Sequence, residues 1–131
     1  MSPTRASLAR YLRAAPVLAL ALTSGCSFAA RSADVYRDDT RSLLERKNND
    51  IKACYDEKLK EDPQLSGTVV LKFKVLAKTG QLAKVKVDPE GTTAPKSLTR
   101  CIVHAIEGLK LDPGDEREAE ASFRWEFQLP G

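Results

Sequence analysis

From Ala119 to Leu129 the chain alternates without a break. Ala119, Ala121, Phe123, Trp125, Phe127 and Leu129 take one set of positions, and Glu118, Glu120, Ser122, Arg124, Glu126 and Gln128 take the other. Successive side chains of a strand point to opposite faces, so this period of two predicts a strand with one buried and one wet face. Such a strand belongs in an antiparallel sheet covered on one side only. The rest of the chain must then supply partner strands and a cover.

A hairpin supplies the strands. Val69, Leu71, Phe73 and Val75 alternate with Val70, Lys72, Lys74 and Leu76, a run rich in β-formers. Lys78-Thr79-Gly80 makes the turn, with Gly80 free to take positive φ. Val85 and Val87 alternate with Lys84 and Lys86 on the way back, and Asp88-Pro89-Glu90-Gly91 stops the strand.

Two helical segments supply the cover. Residues 40–60 are dominated by helix formers and hold no Gly or Pro. Leu44, Ile51, Tyr55 and Leu59 share a stripe there with Cys54 beside it. Asn48-Asn49-Asp50 is a weak point or a true start, because these side chains prefer caps to helix interiors. Asp62-Pro63 ends the segment. The second helix opens at Pro95 and aligns Leu98, Cys101, Ile102, Ala105 and Leu109; Gly108 and Pro113 close it. Asp112-Pro113-Gly114-Asp115 reads as a turn.

The order is helix, strand, strand, helix, strand, which predicts an α+β fold: a three-stranded antiparallel sheet with two helices on one face. Lys72, Lys74, Lys84 and Lys86 on the hairpin complement Glu118, Glu120 and Glu126 on the last strand, which places the last strand beside the first. The first strand is then central and the other two are edges. A right-handed crossover puts the second helix on the apolar face, and the first helix shares that face, bringing Cys54 towards Cys101.

The amino end has a different character. Arg5, Arg10 and Arg13 precede a short apolar stretch from Ala14 to Leu22, the layout of a secretory signal rather than a membrane span. The segment Leu22-Thr23-Ser24-Gly25-Cys26 resembles the lipobox of bacterial lipoproteins. In that family the cysteine is lipidated and becomes residue one of the mature chain. The resemblance implies removal of residues 1–25, a lipidated amino-terminal tether over 26–39, and a domain over 40–131. Ser27 after the cysteine implies outer-membrane sorting by the enterobacterial convention, with the domain facing the periplasm. No second apolar run spans a bilayer, so the lipid is the expected membrane attachment.

Of 21 basic side chains, three fall within residues 1–25, leaving 18 against 18 acidic ones. That balance argues against a nucleic-acid binder. Assigning Cys26 to lipid leaves Cys54 and Cys101 in an oxidising compartment, where a disulfide is expected. The alternatives are two free thiols or a metal pair, and two cysteines without a nearby histidine pair make a poor zinc set.

No catalytic residue, metal site or cofactor site is expected, and the chain does not read as an enzyme. His104 is the sole histidine and sits without a nucleophile beside it. No phosphate loop, GxSxG, HExxH or dinucleotide fingerprint occurs. Asp38-Asp39 and Glu116-Arg117-Glu118 read as solvated charge, and Trp125 with its phenylalanines as core. The more informative candidate is backbone: an uncovered last strand invites a partner strand.

Four segments carry a further resemblance. Ile51-Lys52-Ala53-Cys54-Tyr55-Asp56-Glu57-Lys58-Leu59, Leu65-Ser66-Gly67-Thr68-Val69-Val70-Leu71-Lys72-Phe73, Thr79-Gly80-Gln81-Leu82 and Leu98-Thr99-Arg100-Cys101-Ile102 together resemble the TonB C-terminal-like domain. The nearest variant ends myxobacterial gliding-motility proteins (the AgmX/PglI C-terminal domain). The likeness covers roughly residues 45–129. It departs at Leu109-Lys110-Leu111-Asp112, where that variant has W-[RK]-F-P, and in lacking both an inner-membrane helix and a Pro-rich spacer.

By resemblance the activity is protein binding by strand addition. The edge would be Ala121, Ser122, Phe123, Arg124, Trp125, Glu126 and Phe127, within Ala119–Gln128. The expected function is a lipid-anchored envelope module that recruits a protein or peptide. The rival is a structural envelope lipoprotein, or an accessory subunit of a transport or motility complex.

Overall fold

The computed structural model describes residues 28–131; the expected lipidation site Cys26 and the expected signal segment over 1–25 lie outside them. The elements run α1 (Ala33–Glu45), α2 (Asn48–Glu61), β1 (Gly67–Val75), β2 (Leu82–Val87), α3 (Lys96–Ile106) and β3 (Ala119–Phe127). Both strand pairings are antiparallel and the sheet order is β2-β1-β3, with β1 in the middle as the charge pattern predicts. The α+β class and the three-stranded sheet are those expected from the sequence.

The core lies on one face of that sheet. Val69, Leu71, Phe73 and Val75 of β1 are all buried, against Ile51, Cys54 and Tyr55 of α2 and Leu98, Ile102 and Ile106 of α3. Each such aliphatic side chain contributes about 1.5–3 kcal/mol when fully removed from water. Cys54 and Cys101 form a disulfide with Cα atoms 5.8 Å apart, across a separation of 47 residues. It joins α2 to α3 and, in the chain-entropy account, stabilises the fold by about 4 kcal/mol.

The expected first helix is two helices. Arg46 and Lys47 separate α1 from α2, with Lys47 at φ −96°, ψ 3°, and Asn48-Asn49-Asp50 begins the second. The polar triplet acts as a true start, and Lys47 reaches Asp50 at 3.1 Å. The larger difference is upstream. The tether expected over 26–39 is folded from Ala29 onward: α1 starts at Ala33 under a Ser32 cap and buries Tyr36, Thr40, Leu43 and Leu44.

Two strand boundaries also differ. β3 stops at Phe127, because β1 begins at Gly67 directly opposite, and Leu129 has no strand to lie against. In β2 the register shifts between the partners of Lys72 and Lys74, with Lys84 at φ 53°. This bulge breaks the alternation, so Leu82 is buried, Val85 half-buried and Val87 exposed. Gly80 takes φ 70° in the hairpin turn, where a Cβ would stand 1.9 Å from the Leu111 carbonyl oxygen. That turn is therefore pressed onto the segment after α3, which positions residues 111–115.

Candidate functional site

The direction of the backbone hydrogen bonds of β1 determines what β3 offers to a partner. Val70 N donates to Thr92 Oγ1 at 3.0 Å and its carbonyl accepts from Asp88 N; Thr68 likewise meets Thr93 with both groups. Leu76 closes the hairpin with Gly80 and Gln81. The even-numbered residues of β1 therefore face β2. In an antiparallel ladder the N–H and C=O of one residue point to the same side and alternate along the strand. Val69, Leu71, Phe73 and Val75 thus bond their partners Trp125, Phe123, Ala121 and Ala119. It follows that Glu120, Ser122, Arg124 and Glu126 aim their N–H and C=O outward. No hydrogen bond to another described residue engages them there.

This edge is long and regular. β3 pairs with β1 over nine residues without a register shift, whereas β2, the other edge, has six residues, a bulge and two lysines. Bulges and lysines blunt an edge; an unbroken nine-residue edge is open to pairing.

Beside the edge runs a groove of about 430 Å³ between β3 and α1. Tyr36, Thr40, Leu44, Phe73, Ala119 and Ala121 line it. The two alanines leave it room, and Phe123 stays half-buried at its side. Aromatic rings continue along the same face. Phe123 lies 4.6 Å from Trp125 and Phe127 4.9 Å from Tyr55, centroid to centroid. The Trp125 indole N–H is buried without an acceptor among the described residues.

The opposite face of β3 is wet and charged. Lys74 bridges Glu118 at 2.6 Å and Glu120 at 3.5 Å, and the hydrogen bond from Lys74 holds the Glu118 carboxyl below its usual range. Arg124 and Glu126 stand 3.8 Å apart in water.

A second cluster was not visible in the sequence. Asp115 is fully buried. It accepts from Arg31 N at 2.8 Å and Arg117 N at 3.0 Å, with the Arg117 guanidinium at 3.4 Å. Arg31 itself is almost covered, donating to Asp39 at 2.7 Å and to the Pro113 carbonyl at 2.8 Å. Arg117 Nη2 donates to the Arg31 carbonyl, and Ala29 pairs in parallel with Asp115. Burial alone would raise the Asp115 carboxyl, but these donors hold it below the ordinary value. The cluster clasps residues 29–31 to the loop before β3, and the Tyr36 hydroxyl adds a bond to the Arg117 carbonyl at 3.0 Å. The only sequence signal was the polar turn Asp112–Asp115, which says nothing of a partner 84 residues away.

The remaining expected residues fall as follows. His104 is exposed beside Glu107, and Asp38 pairs with Arg37 at the surface. Among the described residues no group of three or more His, Cys, Asp or Glu is placed to hold a metal, and no helix is long and apolar enough to cross a membrane. Comparison with protein families, with curated proteins and with solved structures finds no match for this chain.

Proposed function

We propose that this protein is a lipid-anchored binding module of the bacterial envelope that takes a peptide strand onto β3. The observation that carries the reading is the unbroken edge, with the N–H and C=O of Glu120, Ser122, Arg124 and Glu126 free beside an apolar groove. A strand added there gains main-chain hydrogen bonds for affinity. Its core-facing side chains enter the groove at Ala119 and Ala121, which gives selectivity. The partner is accordingly a segment alternating apolar residues with polar or basic ones, the basic ones opposite Glu120 and Glu126.

The element order and both cysteine positions suit a TonB C-terminal-like domain, whose activity is of this kind. Cys26 would be the lipid attachment and the outer membrane, facing the periplasm, the location. No catalytic step or cofactor belongs to this reading.

The test is capture of crosslinked envelope partners by the full chain and by Ser122→Pro and Arg124→Pro variants. Proline at an outward position deletes the free N–H while leaving the β1 ladder intact. Loss of capture by folded variants is the expected result. Capture surviving both substitutions would rule out strand addition.

A further inference from the structure

We infer that the domain lies directly against the bilayer, with the Arg31–Asp115 clasp end towards the lipid. The inference rests on the proposal that Cys26 carries the anchor, and goes beyond it by fixing distance and orientation. The tether is short. Ala29 is already hydrogen-bonded into the fold, donating to the Gly114 carbonyl at 2.9 Å and accepting from Glu116 N at 3.0 Å. Three residues of chain reach at most about 11 Å even when fully extended. A 14-residue tether would have reached about 50 Å. β3 alone is about 30 Å long at 3.3–3.4 Å per residue, so the anchor cannot hold the domain a domain's length away.

The clasp prevents the fold from releasing more chain. Asp115 is fully buried and the Arg31 side chain is only 7% exposed, so freeing residues 29–31 would leave a buried carboxylate without its partners.

The same end carries exposed apolar surface. Phe28 is 43% and Val35 48% exposed, two of four large hydrophobic side chains so placed among the described residues. Phe28 sits next to the clasped Ala29, and Val35 lies in the first turn of α1. Lys78, whose N–H donates to the Asp115 carbonyl at 2.6 Å, adds a cation at that end. Apolar side chains so placed suit the bilayer interface, and the exposed Asp34, Asp112 and Glu116 at that end stay in the hydrated headgroup layer.

Orientation has a consequence for the candidate site. Ala119 opens β3 only four residues after Asp115, and β3 then runs away from the clasp towards Phe127. The groove thus has its Ala119 mouth at the membrane surface, where the emerging segment of a protein embedded in the same membrane would enter.

The experiment uses the full lipidated chain in phosphatidylethanolamine–phosphatidylglycerol vesicles, compared with a chain carrying 20 Gly/Ser residues inserted between Ser27 and Phe28. Trp125 is the sole tryptophan, and energy transfer from it to dansyl-labelled headgroups reports distance. Transfer is expected to fall at least threefold on insertion. In parallel, a water-soluble amine reagent should label Lys78 several-fold less in the native-length chain than in the inserted one. Lys60, at the end of α2 that leads to Gly67, should be labelled equally in both. Equal transfer, or equal Lys78 labelling, from two acylated vesicle-bound proteins overturns the apposition and leaves the lipoprotein reading standing. Intact mass shows separately whether Cys26 is acylated; an unacylated Cys26 overturns the anchor and this inference together.

Discussion

At Asp115 a carboxylate sits out of reach of water, held by two backbone amides and the Arg117 guanidinium. Removing one member of a buried charged cluster leaves the others uncompensated. Asp115→Ala should therefore lower stability by about 3 kcal/mol, read as a shift in the urea midpoint, and make the 28–32 segment accessible to proteases. The pH dependence follows from the same contacts. Because the folded state holds Asp115 below its ordinary value, its contribution is fully present above the ordinary carboxylate range. It is lost only as pH falls through the lower folded value. Acid titration of the native protein should show the clasp opening only below the ordinary aspartate range, and Asp115→Asn should remove that component. Nothing local in the sequence marks Asp115 as different from Asp112. Its burial is imposed by Ala29 and Arg31, which local patterning cannot see.

The strand alternation, by contrast, reads as a property of elements. In β3 the predicted faces hold from Ala119 to Phe127, because pairing with a straight central strand preserves the period of two. They fail at Leu129, where β1 has no residue left to pair, and in β2, where a bulge at Lys84 slips the register. Proline scanning checks the ladder directly. Arg124→Pro should cost about 1 kcal/mol or less, since its N–H points away from β1. Phe123→Pro should cost about 3 kcal/mol or more, since its N–H bonds Leu71. Thermal melting of the two variants distinguishes them, and equal losses would contradict the assigned hydrogen-bond direction. The α2–α3 disulfide has its own check. Replacing Cys54 and Cys101 together with alanine should lower stability by about 4 kcal/mol, and reductant should then have no further effect.

At the scale of the whole molecule, the groove exists because α1 lies alongside β3 without filling the space over Ala119 and Ala121. Ala121→Trp should fill it. The site is half-buried and open, so stability should change by less than about 1 kcal/mol while partner capture is lost. Retained capture would mean that the groove takes no part in recognition. The sequence by itself determined the sheet, its central strand and the helices that cover it. It also directed Cys54 towards Cys101, which the structure joins in a disulfide. Periodicity and charge complementarity are local or nearest-strand properties, so they are legible along the chain. Only the tertiary structure decided that residues 29–39 belong to the fold, that Asp115 and Arg31 lock them there, and that a groove opens beside the free edge. Those outcomes depend on contacts between segments more than 80 residues apart, where burial of a charge is settled by its partners and not by its neighbours in sequence.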